Sequence, residues 1–239
     1  MQPTTAATPT TLSADLLVAT RVGDDPAPVL SALAALDEAA LAPVREDRRT
    51  ALAFWLNCYN AGTNLLLDRR PGLYEGRVRS LRFFRAPAVT VGDHPLGLDD
   101  IEHGILRGSR SKFGLGYLPR LLPDSFELRY RLADPDPRIH FALNCGAASC
   151  PAIRAYDPAA VDDQLDIATQ TYLDATVRYD ADEGVVRVPR VFRWFPGDFG
   201  GRGAIVPFLR RYDQLPADAA PRVRYLPWDW TRTDPAFVD

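Results

Sequence analysis

Lysine is almost absent from this chain: of 28 basic residues, Lys112 alone is not arginine. Cysteine and histidine occur only three times each. Three cysteines in 239 residues do not make the disulfide framework of a small secreted domain; they suit a reducing compartment and leave at least one thiol free. A net charge of −3 is too mild to imply a nucleic-acid or membrane-surface partner. No apolar run approaches the roughly 20 residues of a membrane span. The start, Met1-Gln-Pro-Thr-Thr-Ala-Ala-Thr-Pro-Thr-Thr11, lacks the basic residues and apolar stretch of a signal peptide, so a cytoplasmic location is expected. P-loop, dinucleotide fingerprint and HExxH are all missing, and no cofactor is expected. The partner is expected to be a small molecule or a peptide of unknown identity.

The patterning that is present describes an α+β chain. Residues 1–11 are rich in Thr, Ala and Pro and are expected to be disordered, with one domain over 12–239. Leucines predict a first helix over about 31–41, and the spacing of Leu52, Trp55, Leu56, Tyr59 and Leu66 predicts a longer one over 45–68. A hairpin is expected over 88–98, a short helix over 99–107, and a long loop over 108–137. Ile139–Asn144 reads as a short apolar strand, and Asp157–Thr176 as a helix capped at Asp157-Pro158. A second hairpin over 177–189, an aromatic loop over 192–199, a helix over 205–211 and a closing strand over 222–226 complete the reading. The architecture expected is helices packed around a small mixed sheet.

The densest chemistry lies in Arg138-Ile-His-Phe-Ala-Leu-Asn-Cys145-Gly-Ala-Ala-Ser-Cys150-Pro151. Strand ends in α/β proteins often carry reactive side chains. Strand alternation would place His140, Ala142 and Asn144 on one face and Cys145 on the other, so the base for Cys145 would come from elsewhere, such as His103. The N–H groups of Gly146-Ala147-Ala148 could lower the thiol pKa and serve as an oxyanion hole. Asn57, Asn60 and Asn64 share a helix face. They either bond neighbouring loops, the commoner use of a buried amide, or orient a histidine as in Cys-His-Asn hydrolases. Asp99-x-x-Glu102 looks like a capping box, and the adjacent Glu102 and His103 should serve different partners. Three readings of the cysteines stay open: buried structural thiols, a redox or metal site drawing on Cys58, His103 or His140, and a nucleophile. The common zinc spacings are not met, and no metal ligand is assigned.

Together these segments resemble the domain-of-unknown-function 547 family. The resemblance rests on Phe54-Trp-Leu-Asn-Cys-Tyr-Asn60-Ala, Leu98-Asp-Asp-Ile-Glu-His103-Gly-Ile-Leu-Arg107 and Asp136-Pro-Arg-Ile-His140-Phe-Ala-Leu-Asn-Cys145-Gly-Ala-Ala-Ser-Cys150-Pro. Val191-Phe-Arg-Trp194, Asp198-Phe199 and Tyr225-Leu-Pro-Trp-Asp-Trp230 extend it to a core of about 45–232. The resemblance implies that Cys145, ahead of Cys150, is the indispensable thiol, and it brings no accepted substrate. The leading expectation is a cysteine-dependent hydrolase or acyl transferase of papain- or transglutaminase-like layout. Cys145 would be nucleophile, His103 or His140 base, and Glu102, Asn57 or Asn60 the orienting group. Arg107, Arg138 and Asn144 would bind substrate. A non-catalytic scaffold and a thiol redox or metal-binding protein are the alternatives.

Overall fold

The computed structural model describes residues 7–234 and 236–238. The first helix, α1 (Pro9–Val22), starts inside the stretch expected to be disordered. Thr8 caps it by accepting the Thr11 N–H at 3.2 Å, and Pro9 supplies a first-turn residue with no N–H to satisfy. Residues 1–6 of that expected tail lie outside the described residues. The next helix, α2 (Ala27–Ala34), ends earlier than the leucine pattern suggested. The Asp37 carboxylate takes the Ala40 N–H at 2.8 Å and forms a turn where the helix was expected to continue. After the short α3 (Ala42–Glu46), α4 (Arg48–Arg69) runs close to the expected bounds, with Asp47 accepting the Thr50 N–H at its start. Residues on every side of α4 are buried, from Ala51 to Leu67, so it is the central helix rather than an amphipathic surface one. α1 packs along it.

Beyond α5 (Arg77–Arg85), β1 (Pro87–Val91) and β2 (His94–Gly97) form the expected hairpin. The following helix, Asp100–Leu106, is a π-helix, with the Arg107 N–H donating five residues back to the Glu102 carbonyl at 2.8 Å. The capping box does not form. Asp99 has helical backbone angles (φ −61°, ψ −31°), so it is not placed to cap, and its carboxylate turns to Lys112 instead. The expected long loop contains a short helix, α6 (Ser125–Tyr130), capped by Asp124.

The strand expected over Ile139–Asn144 is absent. Pro137–Phe141 is a 3₁₀ helix, capped by Asp136 and closed by the Ala142 N–H on the Ile139 carbonyl at 2.9 Å. A short apolar run fits a buried helical turn as well as a strand, and Pro137 at the start favours the turn. α7 (Val161–Thr176) starts later than expected because Asp157 spends its carboxylate on a local turn to Ala159. β3 (Arg178–Asp180) pairs antiparallel with β4 (Val185–Val188), and β5 (Arg222–Tyr225) joins β4 in parallel. The aromatic segment between them forms two short helical turns, α8 (Val191–Trp194) and a 3₁₀ turn at Pro196–Phe199; α9 (Ile205–Arg211) follows.

The architecture is α+β: mostly helical, with a hairpin and a small mixed sheet. One hydrophobic cluster surrounds α4, and a second gathers Leu173, Phe192, Phe199 and Leu209. The Pro137–Phe141 turn joins them, because Ile139 and Ala142 belong to the first and Phe141 to the second. Among the described residues, no helix is long and apolar enough to cross a membrane.

Candidate functional site

A cavity of about 450 Å³ is lined by residues from segments far apart in the chain. Tyr59 comes from α4, Glu102 and His103 from the π-helix, and His140 from the 3₁₀ turn. Cys145 and Cys150 come from the loop that follows, and Trp194, Trp228 and Trp230 from α8 and the C-terminal segment.

The two thiols face each other, Sγ to Sγ at 3.0 Å, and the Cys145 N–H donates to the Cys150 sulfur at 3.2 Å. Burial opposes a charge on Cys150, but the Cys145 S–H and the N–H groups of Cys145 and Ala147 outweigh it and lower its pKa. Cys145 moves the other way, raised by its hydrogen bond with Cys150 and by burial. The Cys145 N–H aimed at the Cys150 sulfur thus favours a negative charge on Cys150 over one on Cys145.

The α4 amides hold this loop. Asn60 donates to the Ala142 carbonyl at 3.1 Å and accepts the Asn144 N–H at 3.0 Å. Asn57 makes the equivalent pair with Tyr156, at 2.9 Å in both directions. Asn144 closes the loop by donating to the Pro151 carbonyl and accepting the Gly146 N–H. Gly146 sits at φ +83°, and a Cβ there would meet Leu67 Cδ1 at 2.6 Å. From the other side, the Ala148 N–H donates to the Thr231 carbonyl at 2.8 Å. The N–H groups of Gly146 and Ala148 are thus spent on the loop and do not form the oxyanion hole expected there.

His140 donates from Nε2 to Asp198 at 2.8 Å and stacks on Phe195, with ring centroids 4.9 Å apart. Asp198 also accepts from Arg107 Nε at 2.6 Å and from Arg110 at 2.9 Å. Burial raises the pKa of Asp198, but the bonds from His140 and Arg107 more than offset this and hold the carboxyl well below the usual range. Arg107 bonds His103 Nδ1 at 2.9 Å and lies over the Phe195 ring at 4.0 Å. Burial and the Arg107 charge press the pKa of His103 far down, so it stays neutral. Burial raises the pKa of Glu102, which accepts the Tyr59 hydroxyl at 3.2 Å. Asp99 is paired with Lys112 Nζ at 2.8 Å.

Of the residues singled out in the sequence, Cys145, Glu102, His103 and His140 meet in the cavity. Glu102 and His103 do have different hydrogen-bond partners, Tyr59 and Arg107. Strand alternation had set His140 apart from Cys145; the helical turn removes that separation. Asn57, Asn60 and Asn144 bind backbone instead of lining the cavity. Arg107 is fully buried and engaged with Asp198. Arg138 is held by Asp136, Asp162 and Asp166, outside the cavity lining. Cys58 is buried in the core around α4. Among the described residues, no group of three or more His, Cys, Asp and Glu could hold a metal ion. Asp198 was missed as a site residue: Asp198-Phe199 belongs to the segments that carry the family resemblance, but it lies 58 residues from His140 and nothing in the sequence pairs the two.

A family sequence profile described as "Protein of unknown function, DUF547" matches residues 44–173. The chain belongs to the DUF547 family. No curated protein and no solved structure matches it. The matched region of this DUF547 protein carries Glu102, His103, His140 and both cavity cysteines. Asp198 and the three cavity tryptophans lie beyond it, so the cavity is completed by the C-terminal part of the chain.

Proposed function

We propose that this DUF547 protein is a cysteine-dependent acyl transferase or hydrolase in which Cys150 is the nucleophile and Cys145 its hydrogen-bond donor. The observation carrying this reading is that the Cys145–Cys150 pair lines one cavity with His140, whose Nε2 is held from behind by Asp198. Asp198 fixes the His140 tautomer with hydrogen on Nε2, leaving Nδ1 to exchange a proton. Cys150 passes its proton to His140, and the thiolate attacks the carbonyl carbon of an ester, thioester or amide. As the C–S bond forms and the bond to the leaving group breaks, His140 protonates the departing atom. Water, or a second nucleophile in a transferase, then gives a proton to His140 and attacks the same carbon. The C–S bond breaks and the Cys150 thiolate returns.

The test is iodoacetamide alkylation of the folded protein across pH 5 to 9, with modified residues mapped by mass spectrometry. Cys150 should react first, and at a lower pH than an ordinary thiol. Reaction of Cys145 first would move the nucleophile there. Inertness of both until unfolding would end the reading.

The 3.0 Å sulfur separation favours one further reading, a redox pair. Two thiols and a hydroperoxide would give the Cys145–Cys150 disulfide, an alcohol and water. Mild peroxide followed by mass measurement tests it. A loss of two hydrogens confined to these cysteines, reversed by dithiothreitol, supports it; unchanged thiols reject it.

A further inference from the structure

Resting on the acyl-transfer reading, we propose that the cavity selects an uncharged apolar acyl group, aliphatic or aromatic, packed against Trp194, Trp228 and Trp230. Two independent features of the lining point there.

The first is the aromatic wall. Trp194 lies 5.0 Å from Trp228 and 6.0 Å from Trp230, centroid to centroid, so the three indoles form one continuous surface. Phe195 joins that surface to the reacting groups, touching Trp194 on one side and stacking on His140 on the other. An acyl carbon chain leaving a carbonyl at Cys150 therefore has apolar surface to follow. Phe113 and Leu115 continue that surface to the outside: both line the cavity, yet they are 75% and 44% exposed. Apolar lining with a few convergent polar groups is the usual form of a small-molecule site.

The second is the state of the charges. Asp99 is bound by Lys112, and Asp198 by Arg107, Arg110 and His140. His103 is neutral, and burial disfavours a charge on Glu102. Lys112, the cation on this lining, is already paired with Asp99, so a charged acyl substituent would be costly to bury there.

The experiment uses the whole protein with p-nitrophenyl esters of acetate, butyrate, hexanoate, octanoate and phenylacetate. Nitrophenolate release is followed together with the acyl adduct on Cys150. kcat/KM should rise about threefold per added methylene until the wall is covered, with phenylacetate well above acetate. Trp230→Ala should flatten this rise, lowering octanoate turnover by a larger factor than acetate turnover; Trp230 is 48% exposed, so the fold should tolerate the change. Trp230→Leu, which keeps apolar area, should restore most of the rise. A flat or falling series with the adduct still on Cys150 would overturn the proposal and leave acyl transfer standing.

Binding separates the two ideas. The Cys150→Ala protein should bind octanoate at least tenfold more tightly than acetate, read by tryptophan fluorescence, with Trp230→Ala reducing the difference. Octanoate preference without turnover or adduct for any ester would keep the apolar ligand and remove acyl transfer. No octanoate preference in Cys150→Ala would remove the proposal itself.

Discussion

A single carboxylate, Asp198, ties His140 to a cluster from residues 103–110 that lies far from both in sequence. It receives His140, Arg107 and Arg110, and through Arg107 it sets the surroundings of His103. Both Asp198 and Arg107 are buried, so each depends on the other to offset its lost hydration. Asp198→Asn should therefore cost about 3–5 kcal/mol at neutral pH, because two arginines lose their counter-charge. The pH dependence has a definite sign. The folded-state pKa of Asp198 is depressed, so its contribution is complete above the unfolded aspartate value, about 3.9, and fades as pH falls through the lower folded value. Urea midpoints from pH 7 down to pH 3 should show a constant gap between wild type and Asp198→Asn down to about pH 4, then a closing one. A gap independent of pH would mean that the carboxylate's charge is not what stabilises the site. Glu102 has the opposite sign: its folded pKa is raised, so its ionisation subtracts stability as pH rises. Glu102→Gln should gain on wild type toward neutral pH and match it in acid, in the same titration.

The central helix was legible because its apolar residues recur at helical spacing over a long stretch, and the shared face of Asn57, Asn60 and Asn64 followed from the same geometry. What those amides bind was not legible, since Ala142, Asn144 and Tyr156 are 82 to 99 residues away in sequence. The 3₁₀ turn at Pro137–Phe141 was misread for a different reason. Ile139, Phe141 and Leu143 alternate as in a strand, but five or six residues are too few to separate a period of two from a period of three. That one error put His140 and Cys145 on opposite faces and brought in His103 as an alternative base. Asn60 gives an element-scale test. Removing its amide leaves a buried donor and a buried acceptor of the cysteine loop without partners, at about 1–3 kcal/mol each. Asn60→Ala should thus lower stability by about 2–6 kcal/mol in urea titration and also reduce the difference in alkylation rate between Cys150 and Cys145. Asn60→Asp keeps the acceptor for Asn144 but loses the bond to Ala142 and buries a charge, so it should be no better than alanine. A loss under about 0.5 kcal/mol in Asn60→Ala would mean that the loop holds its shape without α4.

At the scale of the whole molecule, two hydrophobic clusters meet at the cavity and share its lining. Packing alone would let each half unfold separately, but three features oppose that. The Pro137–Phe141 turn has side chains in both clusters, so neither can lose it without exposing part of the other. Arg107, beside Leu106 of the first cluster, is neutralised by Asp198, beside Phe199 of the second, and separation would strand a buried guanidinium. The C-terminal segment bonds the cysteine loop through the Ala148 N–H and pairs with Ile153 of the first cluster, while Trp228 packs on the second. Leu52 and Leu173 are both fully buried, one in each cluster. Leu52→Ala and Leu173→Ala should each cost about 2–5 kcal/mol, and each should shift one shared transition. Urea unfolding followed by far-ultraviolet circular dichroism weights the helices around α4. Near-ultraviolet dichroism weights the aromatic cavity. The two curves should coincide in wild type and in both variants. If Leu173→Ala moved only the near-ultraviolet transition, the cavity half would unfold on its own, and the Arg107–Asp198 pair would not be what couples the halves.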